Sequence, residues 1–391
     1  MAAVALIFIV SWIFLPASNR LLLPLAVGAP ELSHWLVLAG LTIGMATFAT
    51  PQRSGMRWTT LALAAAATLM AAVPLLQAPF AIRRFNDRLL AIGPEVLEAG
   101  PAAAGVTMRR APIILWELWS GVRTGEARIT RGIPFAAPGG VPLTLDVYRP
   151  AGPGRHPTVV QIYGGAWQRG EPGDNATAAT VLAAHGFVVF AVDYRHAPRW
   201  PWPAQIEDVR AAMAWIRAHG AEYDADVSRL ALIGRSAGAQ LALVAAYEPS
   251  APPVAAVVSL YGPVDLVDGY RHPPVPDPLD VRSIERAFLG GTPDEAPDRY
   301  RSASPVSYVS RPLPPSLLIY GARDNIVLPR FGAELAGRLR AAGGTAVFLD
   351  LPWAGHAFDA VPNGLSGQLA LYYTERFLSW AFARPAGHRP R

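Results

Sequence analysis

The pentapeptide Gly234-Arg235-Ser236-Ala237-Gly238 is a pattern that could present a serine nucleophile. The apolar run 229–233 precedes it, and the helix-forming run 239–246 follows it. A sharp turn between a strand and a helix holds a serine hydroxyl clear of the backbone, and small flanking residues let the strand and helix approach each other. Gly-x-Ser-x-Gly alone is a weak signal, because these residues are common in loops. The flanking strand and helix favour Ser236 as a nucleophile.

A serine is a weak nucleophile unless a base and an orienting acid accompany it. Two downstream segments offer them. The apolar run 315–320 predicts a buried strand, and Asp324 follows where that strand gives way to a loop. The run 345–351 predicts another strand and leads to His356 in a loop at the same edge of the sheet. Ser, Asp and His in this chain order are typical of α/β hydrolases.

Each of these residues also has a plain structural interpretation. Asp324 could cap the following helix or serve as a turn residue, and His356 is one of eight histidines. Asp350 and Asp359 are alternative acids, but Asp350 lies within a strand pattern. Asp359 is too close in sequence to His356 to approach it from a neighbouring strand. The joint spacing with Ser236 favours Asp324 as the acid and His356 as the base.

An oxyanion hole must present backbone N–H groups to the charge that develops on a carbonyl oxygen. The strand pattern 158–162 runs directly into Tyr163-Gly164-Gly165-Ala166-Trp167. Paired glycines after a strand permit close backbone approach to a ligand, although they could also form an ordinary flexible turn. We expect the donors to be the N–H groups of Gly164, Gly165 and Ala237.

Residues 130–385 resemble the α/β-hydrolase esterases of the hormone-sensitive-lipase and feruloyl-esterase/arylformamidase-like group. The matching stretches are 163–167, 192–198, 203–209, 234–238 and the segments around Asp324 and His356. Two positions depart from the family pattern. Tyr163 stands where a histidine is usual, and Arg235 stands where the hormone-sensitive-lipase branch commonly has Asp. Neither is a triad residue, and Arg235 is expected to be solvated or paired with a loop carboxylate.

The fold class predicted for the C-terminal two thirds is α/β, with a mostly parallel central sheet and helices on both faces. An opening pair of strands is expected at 127–136 and 141–148. Buried strands are expected at 158–162, 187–192, 229–233, 254–260, 315–320 and 345–351, with the clearest helices at 206–219 and 331–342. The Pro- and Asp-rich segment 264–314 is expected to form a lid or pocket wall, with one short helix near 283–288.

The N-terminal third has a different composition. Of the 391 residues 52% are hydrophobic and only 16% are charged, and the mean hydropathy is +0.25. Long uncharged stretches near the start predict an all-α transmembrane segment of two or three helices, with spans at about 2–27, 32–50 and 58–80. A cleaved signal sequence and a hydrophobic cap over the active site are the alternatives.

These patterns predict a transmembrane anchor at 1–82, linker or cap helices at 83–128 and a catalytic domain at 129–391. In the segment 83–128, the Trp-rich run 113–119 could lie at the bilayer interface or pack on the catalytic domain. Four arginines lie on one side of the spans and two on the other, which favours a multi-pass protein of the cell membrane with a cytoplasmic catalytic domain. The arginines are Arg20, Arg83, Arg84 and Arg88 on one side, and Arg53 and Arg57 on the other.

The net charge is +5, and all 34 basic residues are Arg. The sequence has no run of basic residues and no interleaved aromatic platform, so nucleic acid is not expected as a partner. Cysteine is absent, which excludes disulfides and thiolate metal sites. No metal or cofactor motif is apparent. The expected partners are therefore a small-molecule or lipid ester and the lipid bilayer.

The resemblance and the residues together imply a carboxylesterase- or lipase-like serine hydrolase. An apolar acyl pocket is expected to be lined by Trp167, Tyr261, Trp353 and Phe358. An amidase or arylformamidase, or an acyltransferase, would use the same triad. A catalytically silent membrane scaffold is the non-enzymatic alternative.

Overall fold

The computed structural model describes residues 1–50, 54–98 and 106–384. The strands are β1 (Ala127–Ala136), β2 (Leu143–Pro150), β3 (His156–Ile162), β4 (Val188–Val192), β5 (Ala225–Arg235), β6 (Ala256–Leu260), β7 (Ser316–Gly321) and β8 (Ala346–Leu351). The helices are α1 (Ala2–Ser11), α2 (Leu23–Glu31), α3 (Ser33–Ala49), α4 (Ser54–Leu90), α5 (Leu115–Ser120), α6 (Ala176–Ala184), α7 (Ala204–His219), α8 (Ala237–Tyr247), α9 (Leu266–Arg271), α10 (Val281–Leu289), α11 (Pro297–Ala303), α12 (Pro329–Ala341) and α13 (Leu365–Phe382).

All eight strands form one sheet in the order β1-β2-β4-β3-β5-β6-β7-β8. The pairs β1/β2 and β2/β4 are antiparallel, and every other pair is parallel. The parallel strands are continuous apolar runs because both of their faces are buried. This arrangement confirms the mostly parallel sheet predicted from those runs. It also brings the carboxyl ends of β3, β5, β7 and β8 to one edge, where the segments predicted to carry chemistry begin.

The segment 264–314 contains three helices, α9, α10 and α11, where one short helix was expected. Aspartates begin two of them: Asp265 accepts a hydrogen bond from the N–H of Asp268, and Asp280 accepts one from the N–H of Ser283. Such caps satisfy backbone donors that the first turn leaves free. The segment has no long stretch with helical spacing of apolar residues. It folds instead as three short helices, two of which are capped by aspartates.

The N-terminal helices differ from the predicted spans. Residues 2–27 do not form one helix, because α1 ends at Ser11 and α2 begins only at Leu23. Between them Asn19 forms a turn with the N–H of Leu21, and the Arg20 guanidinium donates to the carbonyl of Leu279. The chain then bends by 80° between α2 and α3.

One helix in the described part of the chain, α4, is long and apolar enough to cross a membrane, and α2 with α3 could supply a second only if the bent pair is counted as one span. The expected spans 32–50 and 58–80 coincide with α3 and with part of α4. Pro51, Gln52 and Arg53, in the predicted loop between these spans, lie outside the described residues. A segment of two or three membrane helices is therefore not established.

Helix α4 crosses the predicted domain boundary at residue 82. Its second half packs into the same hydrophobic core as the sheet, with Ala78, Ala81, Phe85 and Leu89 all buried there. Arg88 also bonds a carboxylate oxygen of Asp350 on β8 at 2.6 Å. The N-terminal region and the α/β domain are therefore packed together through this helix.

The segment 83–128 also contacts the N-terminal helices. Trp119 on α5 packs edge-on against Trp35 on α3, with ring centroids 4.6 Å apart. The Nε2 atom of His34 lies 2.8 Å from the carbonyl oxygen of Leu118. The Trp-rich run thus packs between α3 and the α/β domain, while Leu115 and Trp116 remain largely exposed.

Candidate active site

Ser236 occupies the sharp turn between β5 and α8. Its φ of 50° lies in the left-handed region, which a non-glycine residue adopts only when the surroundings enforce it. Its N–H donates to the carbonyl of Leu260 on β6 at 2.9 Å. A Cβ at Gly234 would lie 2.2 Å from the Gly238 carbonyl oxygen, and one at Gly238 would lie 2.2 Å from that of Tyr163. Side chains at either glycine would therefore clash with the backbone that forms the turn.

The side chains of Ser236, His356 and Asp324 form a continuous hydrogen-bonded chain. The Ser236 Oγ atom lies 2.9 Å from His356 Nε2. The Nδ1 atom of the same imidazole lies 2.7 Å from Asp324 Oδ2. With Asp324 accepting at Nδ1–H, Nε2 is left as the acceptor for the serine proton.

Asp324 is fixed in the loop after β7. Its Oδ1 atom accepts hydrogen bonds from the N–H groups of Ile326 and Val327 at 2.8 and 2.9 Å. The residue is only 3% exposed. Two backbone donors and the imidazole stabilise the carboxylate in this buried position, so Asp324 is held in place to orient His356.

The loop after β3 passes directly beside the serine. A Cβ built on Gly164 would lie 3.2 Å from the Ser236 Cβ and 2.8 Å from the Arg235 carbonyl oxygen. Gly165 has a φ of 122°, and a Cβ there would meet the Arg169 carbonyl oxygen at 2.1 Å. Only glycine fits these two positions without displacing backbone. The loop backbone thus approaches the serine closely enough to face a bound carbonyl.

Tyr163, at the position where the resembling family has a histidine, supports this loop from behind. Its hydroxyl donates to Asp193 Oδ1 at 2.5 Å and lies 2.9 Å from His196 Nε2. Its ring stacks on that of Tyr194, with centroids 4.4 Å apart. Burial and the neighbouring Tyr194 and Asp193 raise the pKa of the Tyr163 phenol, so it stays protonated and donates. The substitution therefore retains a buried polar anchor.

A cavity of about 660 Å³ opens beside the serine. Its wall contains the nucleophile, the base and the three expected oxyanion donors. The wall also includes residues of the segment 264–314 and of helix α2. The lining includes Ser236, His356, Gly164, Gly165 and Ala237. It also includes the candidate pocket residues Trp167 and Tyr261.

The other two candidate pocket residues lie elsewhere. Phe358 is buried behind Tyr261, with ring centroids 5.0 Å apart. Trp353 donates to Ser366 at 2.9 Å and lines a separate cavity of about 160 Å³ next to His356. Both follow β8 in sequence, but their rings point into the packing beneath the His356 loop.

The sequence patterns did not identify the remaining wall of the cavity. One side is formed by Leu23, Pro24 and Val27 of α2, and the lid side includes Ile284 and Glu285 of α10. On α10, apolar residues at 281, 284 and 288 define one helical face, and position 285 falls on it. Helix α2 overlaps the end of the span expected at 2–27, and its residues contribute to the cavity wall.

Arg235 and the two alternative acids, Asp350 and Asp359, take part in ion pairs. Arg235 bonds Asp359, as expected for pairing with a loop carboxylate, and Tyr261 donates to the other oxygen of Asp359. Asp350 pairs with Arg84 and Arg88 on α4. Neither alternative acid contacts His356 among the bonds formed by the described residues.

Comparison with solved structures identifies the fold. A bacterial heroin esterase superposes with a TM-score of 0.58 at 24% identity, covering 67% of this chain and 87% of that one. Esterase LipW from Mycobacterium marinum superposes with a TM-score of 0.54 at 24% identity, covering 80% of this chain and 90% of that one. Together with the mostly parallel sheet, these similarities show the α/β-hydrolase fold.

Comparison with sequences finds a family model and esterase relatives that resemble this chain. The family model of BD-FAE matches residues 145–339. Esterase LipC of Mycobacterium tuberculosis is 36% identical over 244 residues, which cover 58% of this chain and 59% of that protein. Esterase LipQ of the same organism is 31% identical over 276 residues, which cover 66% of this chain and 64% of that protein.

The chain therefore spans about three fifths of the length of these curated relatives. Within that span the comparisons support an α/β-hydrolase esterase of the hormone-sensitive-lipase-like group, and a carboxylesterase-like hydrolase as its kind of enzyme. The N-terminal helices precede the region that the family model matches.

Proposed function

We propose that this protein is a membrane-anchored serine hydrolase that cleaves carboxylic esters. The observation that carries the proposal is the hydrogen-bonded chain Ser236–His356–Asp324 opening into a cavity whose wall is largely apolar. Each of these residues is held by its own strand end, so their relative positions are set by the sheet. This arrangement has the parts required for acyl transfer to a serine.

In the first half-reaction the Ser236 Oγ attacks the acyl carbon while its proton passes to His356 Nε2. The tetrahedral intermediate then collapses, the bond to the leaving oxygen breaks, and the imidazolium gives its proton to that alkoxide. In the second half-reaction a water molecule attacks the acyl-enzyme carbonyl, gives a proton to Nε2, and the acid leaves as the proton returns to Oγ. Asp324 fixes the tautomer and stabilises the imidazolium in both halves.

The negative charge of each tetrahedral intermediate falls on the former carbonyl oxygen. In our proposal the N–H groups of Gly164, Gly165 and Ala237 bind that oxygen. Support comes from the glycine loop, where a Cβ on Gly164 would lie 3.2 Å from the Ser236 Cβ, and from Ala237, which opens helix α8 immediately after the serine. Donors of this kind contribute about 3–4 kcal/mol each in acyl-transfer enzymes.

Anchoring in the bilayer is supported by the surface of the α3–α4 pair. Large apolar side chains are exposed along both helices, and exposing so many of them to water is costly. On α3 these are Trp35, Leu38, Leu41, Met45 and Phe48, and on α4 they are Met56, Trp58, Leu69, Leu76, Phe80 and Leu90. We propose a multi-pass arrangement in which this pair spans the membrane and the α/β domain is cytoplasmic.

The mouth of the cavity is consistent with an ester that partitions into lipid. Leu21, just before α2, is 88% exposed, and Val275 in the lid is 94% exposed. The Arg20–Leu279 hydrogen bond joins these two segments, and their neighbours Leu23 and Pro274 line the cavity. A substrate with an apolar acyl chain would meet a matching surface before it enters.

The proposal is tested by substrate profiling of the full-length protein in detergent or vesicles. 4-Nitrophenyl esters of graded acyl length should be hydrolysed, and Ser236→Ala should abolish turnover, whereas Ser228→Ala, an exposed serine on the same strand, should not. N-formyl aromatic amides and added alcohol acceptors in the same assay separate an amidase or an acyltransferase from an esterase. Ester turnover that persists in Ser236→Ala would contradict the proposal.

A further inference from the structure

The cavity contains a buried carboxyl group that the proposed chemistry does not use. Glu285 on α10 lines the cavity and is only 3% exposed. Its Oε2 atom has no hydrogen-bond partner among the described residues. A buried carboxyl oxygen without a partner is costly, so a ligand group that bonds the Glu285 carboxyl would offset this cost.

The surroundings of Glu285 are acidic. Asp265, at the start of α9, lines the same cavity and accepts a hydrogen bond from the N–H of Asp268. Asp277, in the lid loop, accepts one from the N–H of Val281 at 2.8 Å. Burial, reinforced by the charges of Asp265 and Asp277, raises the pKa of Glu285 well above its usual range. This end of the cavity is therefore poor in positive charge and rich in acceptors.

The nearby cations do not neutralise it. Among the described residues Glu285 takes part in no ion pair. Of the two arginines that line the cavity, Arg235 is bonded to Asp359. The other, Arg169, belongs to the glycine loop and is exposed. His272 also lines the cavity, and its Nδ1 atom is bound to Asp268 at 2.6 Å.

A glycine on α9 leaves room for the Glu285 carboxyl. A Cβ at Gly269 on α9 would lie 2.9 Å from Glu285 Oε1, and Gly269 lines the cavity as well. Glycine at this position therefore lets the carboxyl lie flat against α9. The described residues contain no group of three or more His, Cys, Asp or Glu arranged to hold a metal ion, so an organic cation is the better match.

We propose that Glu285 and Asp265 form a subsite for an ammonium group carried by the ester substrate. An ammonium offers three N–H donors that can bind the Glu285 carboxyl, and its positive charge favours the ionised form of that carboxyl. The inference rests on the proposed function, because the subsite lies in the same cavity as the proposed nucleophile Ser236. It adds a substrate class: amphiphilic amino esters, with an apolar chain between the scissile bond and the cation.

The first test measures binding without catalysis. Hexylammonium and hexan-1-ol are titrated calorimetrically into the full-length Ser236→Ala protein, and again into that protein carrying Glu285→Gln. The ammonium should bind at least about tenfold more tightly than the alcohol, and Glu285→Gln should remove that difference. Glu222→Gln, which neutralises an exposed glutamate, is the matched control and should leave the difference in place. Equal affinity for the two probes, or a difference unaffected by Glu285→Gln, would overturn the inference.

The second test measures selectivity during turnover. 4-Nitrophenyl 6-aminohexanoate is compared with 4-nitrophenyl heptanoate, in which a methyl group replaces the ammonium, and the comparison is repeated for shorter and longer chains. The ratio of kcat/KM for the amino ester to that for its isostere should peak at one chain length. Glu285→Gln and Glu285→Leu should lower that peak ratio about tenfold or more.

The two tests separate the inference from the proposed function. Hydrolysis of the heptanoate without any preference for ammonium would overturn the subsite and leave the esterase intact. Absence of hydrolysis together with Glu285-dependent binding of hexylammonium would retain the subsite and reject the esterase. Thermal unfolding of each variant identifies any that fails to fold, and Glu285→Gln, the isosteric change, carries the conclusion if Glu285→Leu does not fold.

Discussion

Arg235 and Asp359 join the two loops that carry the nucleophile and the base. The Arg235 Nε atom lies 2.5 Å from Asp359 Oδ2, and the two side chains are 8% and 10% exposed. Arg235 immediately precedes Ser236, and Asp359 follows His356 by three residues. The hydroxyl of Tyr261 donates to the remaining oxygen of Asp359. This ion pair therefore links the serine turn to the histidine loop at the cavity wall.

Breaking this pair should affect both stability and turnover. Asp359→Asn leaves the Arg235 charge buried without its partner, so we expect the free energy of unfolding to fall by about 3 kcal/mol. The rate constant kcat should fall more than KM changes, because the Ser236–His356 geometry is needed in the transition state. Chemical denaturation and steady-state kinetics measure the two effects.

Asp350→Asn is the matched control, since it removes a carboxylate whose arginine partners are partly exposed. It should cost at most about 1 kcal/mol. The double variant Arg235→Met/Asp359→Asn should recover part of the stability lost by Asp359→Asn, because no unpaired charge remains buried. Equal costs for the two Asp→Asn variants would contradict the role assigned to the pair.

Helix α2 should control which acyl chains enter the cavity. Val27 lines the cavity, so Val27→Trp fills part of that space and should lower kcat/KM for octanoyl esters relative to acetyl esters by about tenfold. Val4→Trp places the same ring at a largely exposed position on α1 and should leave the ratio unchanged. If Val27→Trp behaved like this control, α2 would not be part of the substrate wall.

Much of the active site could be predicted because its parts follow strands that are buried on both faces. Such strands appear as continuous apolar runs, and the residues after them meet at one sheet edge. Ser236, Asp324 and His356 could therefore be placed together by sequence alone. The position of the glycine loop after β3 beside Ser236 could be predicted for the same reason.

The wall of the cavity could not be predicted in the same way. The apolar composition of residues 23–31 fits a bilayer span and a pocket wall equally well, and only tertiary contacts distinguish the two. Phe358 and Trp353 follow the same strand as His356, yet loop geometry turns their rings into the packing below it. Glu285 lies within the short helix expected near 283–288, and its position on the apolar face of that helix indicates burial, but a single glutamate in this pattern does not indicate a site.

The domain boundary predicted at residue 82 should not permit a clean truncation. Removing residues 1–82 would delete Ala78 and Ala81 from the hydrophobic core and the α2 wall from the cavity. We expect that protein to lose cooperative unfolding and to be inactive, even toward water-soluble acetyl esters. Circular dichroism with thermal unfolding and an acetate ester assay test this. A folded, soluble and active product would show that the N-terminal region is only an anchor.

The full-length protein should remain in the membrane fraction after washes with high salt and with alkaline carbonate. Apolar helices in a bilayer are insensitive to charge screening, whereas peripheral contacts between charges are not. Sedimentation followed by immunodetection measures the distribution. Release into the soluble fraction by carbonate would contradict membrane insertion of the α3–α4 pair.

Glu285 should make stability depend on pH. Its pKa is raised in the folded state by burial and by Asp265 and Asp277, and it also interacts with Tyr300. The folded state therefore holds the proton more tightly than the unfolded state, so stability is lost as the pH rises above the unfolded pKa of about 4.3. Glu285→Gln removes this titration, and its Tm advantage over wild type should grow from pH 5 to pH 8. An advantage that shrinks with rising pH would contradict the assignment.

The central claim is that Ser236 is the acylated nucleophile, and labelling with a fluorophosphonate probe tests it most directly. Wild-type protein and the Ser228→Ala control should be labelled, and peptide mass spectrometry should place the adduct on Ser236. Ser236→Ala should not react, and loss of His356 or Asp324 should lower ester turnover by about 10⁴-fold. An adduct on any other residue, or undiminished labelling of folded Ser236→Ala, would contradict the account.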